Sequence, residues 1–158
     1  YDIVEAGYKN NMTDIMAAIG QVQLECYETE TLPKRKAICE QYNDKLKQFS
    51  WAELPIITTD EKESSYHLFP LRIKNISEQQ RDAIVKEIFD CDVSVNVHFI
   101  PLPQMRFYRG LGYDIKNYPT TFDNYSREIS LPVFYDLTPE MITTVLDAVI
   151  QSVEKVLK

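Results

Sequence analysis

Apolar residues recur along this chain at two spacings, and the spacing assigns the elements. From Met12 onward, Met12, Ile15, Ile19, Val22 and Cys26 follow at steps of three, four, three and four, the period of one helix face. Thr13, or Asn11 just before it, is placed to supply the N-cap oxygen. Leu32-Pro33 opens a second helix, because proline suits a first turn. Ile38, Tyr42, Leu46 and Phe49 make its buried side. The two helices are predicted from about residue 13 to 49, with a break near Thr29 to Pro33.

Beyond them the period shortens. Trp51 to Ile57 reads as a short extended stretch and Thr58 to Ser65 as a polar exposed loop. The run HLFPLRI, His67 to Ile73, reads as a strand that Pro70 demotes to an edge or a bulge. Ser77 with Gln80 has the spacing of a capping box and starts a helix carrying Ile84, Val85 and Ile88. In VSVNVHF, Val93, Val95, Val97 and Phe99 alternate with Ser94, Asn96 and His98, which predicts a strand over 93–99. A short helix and a loop follow in QMRFYRGLGYDIKNYP, another short helix over Phe122 to Glu128, and a third extended segment in ISLPVF. Thr138-Pro139-Glu140 caps the last helix, whose stripe is Ile142, Val145, Val149, Val153 and Val156. The order is ααβαβ(α)βα. That order predicts an α+β domain of two layers, with helices on one side of a small, mostly antiparallel sheet.

Length and charge narrow the function. The 158 residues suffice for one domain with a core. A net charge of −7 argues against nucleic acid, which requires a basic face. No apolar run is long enough to span a bilayer. Cys26, Cys39 and Cys91 are odd in number and widely spaced, without a Cys/His cluster for a metal. Reduced thiols and a cytoplasmic location are expected. The first residue is Tyr1 rather than Met, which suggests a processed chain or a fragment.

No P-loop, GxGxxG, HExxH or GxSxG is present. His98 closes the polar face of its alternating run just before a proline-rich loop, where ligands are commonly met; a structural histidine is the other reading. His67, at the start of an apolar strand, favours the structural role. Lys9, Asn10 and Asn11 stand together where a loop meets a helix N-terminus, a place receptive to an anion, or simply an exposed polar turn. Arg106 and Arg109 could meet a phosphate or carboxylate. Tyr108 and Tyr113 beside them either line a pocket or cover core.

Four segments together carry a resemblance. GYKNNMTDIMAAIGQVQL, YHLFPLRI, VNVHFIPL with FYRGLGY, and REISLPVFYDLTPEMITTVLDAV are similar, in this order, to motifs of the DegT family of sugar aminotransferases. These are fold-type-I enzymes that use pyridoxal phosphate. The resemblance implies the C-terminal small domain, with residues 1–49 as linking loop and long helices and 50–158 as an α/β sandwich. It implies that the large domain, with the lysine that bonds the cofactor, lies outside this chain. No residue here is nominated as catalytic, no metal is expected, and the chain alone is expected to be inactive.

For the complete protein the resemblance implies transfer of an amino group, typically from glutamate, to a keto sugar carried on a nucleotide. The family's sites form across a homodimer. Lys9 and Asn11 match the loop that reaches toward the neighbour's cofactor phosphate or substrate, and are expected to bind cofactor; Asn10 and His98 are expected to bind substrate. Two departures stand out. The common Asn-x-Arg is Lys9-x-Asn11 here, and Pro103 stands where many relatives carry a second histidine. Two other readings are a regulatory or binding module that kept this domain, and a structural dimerisation domain.

Overall fold

The computed structural model describes residues 1–158 and begins with a helical arm. Helix α1 spans Asp14–Glu25, with Thr13 as its N-cap: the Thr13 hydroxyl accepts a hydrogen bond from the Met16 N–H at 3.3 Å. Helix α2 spans Leu32–Leu46. Between them no break occurs. Tyr27–Thr31 forms a π-helical turn, in which Thr31 N–H reaches Cys26 O at 3.3 Å. Pro33 has no N–H to give to the turn before it, and widening that turn re-registers the helix instead of ending it.

The sheet has three strands in the order β1-β2-β3, all antiparallel: β1 Ala52–Glu53, β2 Phe69–Ile73 and β3 Glu128–Leu131. Pro70 was expected at an edge, yet β2 is the central strand. The register explains the tolerance. Pro70 pairs with Ser130, whose own N–H and C=O turn the other way, to Asn96. The backbone nitrogen of Pro70 therefore faces away from β3, toward β1, and β1 pairs only as far as Arg72. No ladder bond is lost.

The strand expected over 93–99 does not form. Val93 and Val95 are buried and Ser94 and Asn96 exposed, as alternation requires. Pairing is limited to one bridge, with Asn96 and Ser130 exchanging both backbone hydrogen bonds at 3.2 and 2.7 Å. Val97 is half-buried and Phe99 is exposed, so the apolar face ends at Val95. Two proline residues, Pro101 and Pro103, follow and withhold donors from any longer ladder.

One face of the sheet is dry. Phe69, Leu71 and Ile73 of β2 meet Ile129 and Leu131 of β3 there. Helix α2 adds Ile38, Tyr42 and Leu46; α3, Glu78–Asp90, adds Ile84 and Ile88; α6, Pro139–Leu157, adds Val145, Val149 and Val153. The Tyr42 ring meets Phe69 edge-on at 5.3 Å, and its hydroxyl donates to Pro132 O at 2.9 Å. Both predicted caps are present: Ser77 and Gln80 bond reciprocally before α3, and Thr138 accepts from the Met141 N–H before α6. Short α4, Arg106–Gly110, lies in the loop region, and α5, Pro119–Arg127, leads into β3. Not every helix shares one side. Asn124 of α5 bonds Arg72, which points from β2 away from the core.

Candidate functional site: the polar face of the sheet

The second face of the sheet carries charge. Glu53 pairs with Arg72, and Arg72 with Glu128, so three charged residues stand in one row across the three strands. Arg72 directs its guanidinium to Glu53 at 2.7 Å and to Asn124. Arg127 reaches the other Glu53 oxygen at 2.9 Å and also pairs with Asp123. Its guanidinium beside Glu53 holds that carboxyl below the usual range, against the opposing effect of burial and with Arg72 adding to it.

Glu128 makes no ion pair with Arg72. It is 5% exposed, and its carboxylate serves two neutral donors. The Ser130 hydroxyl bonds Oε1, and the His98 backbone N–H donates to Oε2 at 3.0 Å. Burial pushes the Glu128 carboxyl above the ordinary carboxylate range, opposed by those two hydrogen bonds and the positive charge of Arg81. Arg81 is itself only 2% exposed. It donates to the carbonyls of Tyr125 and Glu128 and lies over the Tyr125 ring at 4.8 Å.

Above this floor opens a cleft of about 440 Å³, lined by Arg72, His98, Phe99, Asn124, Tyr125 and Glu128 among others. The half-buried His98 side chain is oriented by its surroundings. Its Nε2 lies 3.3 Å from the Asn96 amide nitrogen and its ring meets Phe99 edge-on at 4.7 Å. Its Nδ1 is buried without a partner, the one buried side-chain N or O atom so placed. His98 lines the cleft, and its Nδ1 has no surface open to solvent, so a ligand hydroxyl or carbonyl meets that nitrogen only after the ring turns.

The other expected residues lie apart from this cleft. Lys9, Asn10 and Asn11 are exposed ahead of α1, with no hydrogen bond or ion pair to the rest of the chain, and none lines the His98 cleft. The segment before them is tied down: Phe107 N–H donates to Ile3 O at 2.7 Å, and Arg106 N–H to Asp2 Oδ1 at 2.8 Å. Arg106 thus serves Asp2. Tyr108 and Tyr113 line a second, more apolar cleft with Tyr118 and Leu102. His67 is exposed with no hydrogen bond from its ring; its carbonyl accepts from Arg35 at 3.2 Å. The structural role expected of its imidazole is absent, because β2 begins two residues later and leaves the ring at the surface. Glu128, which lines the cleft, and Asn96 and Arg81, which support His98 and Glu128 around it, were not singled out from the sequence. Glu128 left one signal, a carboxylate beside an alternating apolar run; Arg81 left none.

A small antiparallel sheet with helices on its core face and a long helical arm defines the small domain of aminotransferase structures. The chain belongs to the DegT/DnrJ/EryC1/StrS aminotransferase family, which matches over residues 1–150. It is 37% identical over 153 residues to an uncharacterized protein of Methanocaldococcus jannaschii, covering 94% of this chain and 39% of that protein. It is 28% identical to the UDP-4-amino-4,6-dideoxy-N-acetyl-beta-L-altrosamine transaminase of Campylobacter jejuni, covering 99% of this chain and 41% of the transaminase. Among solved structures it resembles the candidate sugar aminotransferase Spr1654 of Streptococcus pneumoniae in its PLP form, with a TM-score of 0.88 and 37% identity over 100% of this chain and 40% of that one. The chain therefore spans about two-fifths of the length of these relatives. The family is dependent on pyridoxal phosphate, and the Streptococcus protein is known in both PLP and PMP forms. No lysine lines the His98 cleft. From this chain, the cleft therefore presents no amine to a cofactor aldehyde.

Proposed function

We propose that this chain acts as the small domain of an aminotransferase that passes an amino group from an amino acid, glutamate by preference, to a nucleotide-linked keto sugar. Pyridoxal phosphate would supply the electron sink for that chemistry when bound. What this chain contributes is orientation and polarity around the sugar. The observation that carries the reading is His98, which lines a polar cleft and keeps a buried ring Nδ1 without a partner. With the ring turned toward the cleft, a sugar hydroxyl or carbonyl would satisfy that nitrogen, and Arg72 and Asn124 line the cleft beside it.

Lys9 and Asn11 would act away from this cleft. They are exposed and without partners in the chain, which leaves their donors available to a cofactor phosphate on a neighbouring subunit of a homodimer. Asn10 would join the substrate side of that contact. The apolar stripe of α1, uncovered here, would pack on the remaining three-fifths of such an enzyme.

The deciding experiment uses a full-length protein that carries this chain, supplied with pyridoxal phosphate, glutamate and a UDP-linked 4-keto sugar. Keto-sugar-dependent formation of 2-oxoglutarate is expected. His98→Ala should raise KM for the sugar about tenfold, the loss of one good hydrogen bond to a desolvated group. Lys9→Ala with Asn11→Ala should speed loss of the cofactor on dilution, read from its visible absorbance. Robust turnover by the 158-residue chain alone would overturn the assignment of this chain to a supporting domain.

A further inference from the structure

Glu128 poses a problem that the proposed reaction does not solve. A carboxylate 5% exposed is costly to keep. Charge pairing does not explain it, because the cross-strand neighbour Arg72 gives its guanidinium to Glu53 and Asn124. Arg81 is near, yet its hydrogen bonds go to the carbonyl of Glu128 and not to its carboxylate. The two oxygens are instead spent on Ser130 and on the backbone N–H of His98.

That second bond has a particular place in the fold. After the Asn96–Ser130 bridge the 93–99 segment has no further ladder to hold it. His98 N–H would otherwise be a free donor in a segment already peeling from β3. Oε2 of Glu128 fastens it there at 3.0 Å. Asn96, held by the bridge on one side, sets its amide 3.3 Å from Nε2 on the other. The backbone of His98 is thus held by β3 and its ring by Asn96 of its own segment.

We propose that Glu128 is a positioning residue for His98: its buried carboxylate clamps the His98 backbone to β3 and so fixes where the imidazole faces the cleft. The clamp itself stands on geometry alone; its consequence for substrate rests on the reading of His98 as a sugar contact. The required feature is an acceptor oxygen at that point. Gln retains one, with an amide NH2 that can donate to the Ser130 hydroxyl. Ala and Met retain none, and Met fills nearly the same volume.

The chain contains two histidines, so His67, exposed and remote in sequence, serves as an internal reference. The test is amide hydrogen exchange with imidazole 15N NMR on the 158-residue chain, comparing Glu128→Ala, Glu128→Met and Glu128→Gln with the parent. In the Ala and Met variants the His98 amide should exchange on the order of 10-fold faster or more, the loss of a hydrogen bond to a charged acceptor. The His98 ring signals should shift, while the His67 ring and the core amide of Val149 stay unchanged. The Gln variant should match the parent. Because Met preserves packing, the comparison survives if the Ala variant fails to fold. An unmoved His98 in the Met variant overturns the proposal. So does a loss of protection that is equal at Val149, which would mark general loosening, and so does a Gln variant that behaves like Met. In the full-length protein, Glu128→Met should raise KM for the keto sugar as His98→Ala does, with no further rise in the double variant. Absent keto-sugar turnover in the parent would defeat the proposed reaction and leave the NMR result standing; normal turnover with an unmoved KM in the Met variant would defeat the role of Glu128.

Discussion

Helices α1 and α6 carry apolar stripes of the same period and meet opposite fates. In α6, Val145, Val149 and Val153 are all at or below 5% exposure. In α1, Ile15, Ile19 and Val22 are 76%, 61% and 59% exposed, and no residue of the helix is buried. A periodic stripe says that a face is apolar; it does not say what covers it. The covered stripe belongs to a core this chain completes by itself. The bare one belongs to a surface that this chain does not complete.

Thiol chemistry offers the largest contrast between the arm and the layer. Cys26 follows α1 and is half-buried, Cys39 of α2 is fully buried, and Cys91 after α3 is exposed. Burial also pushes the Cys39 thiol up to about 11, which starves it of thiolate at neutral pH. With a disulfide reagent, Cys91 should be modified first and Cys26 next. Cys39 should lag by roughly 10³-fold or more, because reaching it requires opening the core. Peptide mapping of the labelled chain would check the order; early label at Cys39 would mean that α2 is no firmer than α1.

Within the layer the largest single loss should come from Arg81→Ala. Arg81 holds the carbonyls of Tyr125 and Glu128, packs on Tyr125 and pairs with Asp82 at 2.7 Å. Removing it strands the Glu128 carbonyl in the interior and takes one of two donors from the Tyr125 carbonyl, which keeps the Glu128 N–H, and about 3 kcal/mol should go from the urea unfolding free energy. Lys at this position should rescue little, since an ammonium cannot span both carbonyls and the aspartate in one plane.

Truncating one residue in each stripe breaks the comparison most directly. Val149→Ala leaves a cavity beneath the sheet and should cost about 2 kcal/mol. Ile19→Ala removes more apolar volume from a place already in water and should stay within about 0.5 kcal/mol. Equal losses at the two positions would show that α1 packs on the chain in solution.

The same contrast marks how far the sequence could be read. Local signals were legible: the Ser77–Gln80 box, the Thr138-Pro139 start and the Thr13 cap each depend on neighbours three or four residues away. Signals that depend on register were not. Pro70 reads as an edge residue because the sequence does not show that β1 is only two residues long. The 93–99 alternation holds through Asn96 and then fails, since no strand continues beside it. His98, expected as a substrate contact from its place at the end of an alternating run, does line the cleft. Its partner Glu128 comes 30 residues later in sequence. A buried carboxylate there looks, in one dimension, like any solvated acid. Arg81 sits among the polar residues EQQRD at a helix start and becomes interior only once β3 and α5 arrive.

The smallest effect concerns that carboxylate, and its sign separates the layer's packing from its site. Burial raises the Glu128 carboxyl above the ordinary range. Between the ordinary carboxylate value and the raised one, the folded state keeps a proton that the unfolded chain has released. Stability contributed by this group is therefore present at low pH and falls as pH rises through that window. Glu128→Gln removes the titration and keeps the acceptor. Urea midpoints taken from about pH 3.5 to 7.5 should place the two proteins closest at the acid end. The Gln variant should pull ahead as pH rises and hold a constant lead once Glu128 is ionised in the parent. A lead that shrinks with rising pH would mean that the hydrogen bonds from Ser130 and the His98 N–H, together with the positive charges of His98 and Arg81, outweigh burial. The expected result has a wider meaning: at neutral pH the layer would be more stable without the charge, and because Gln keeps the bond to His98, the pH slope reports the charge alone while the Met variant reports the clamp.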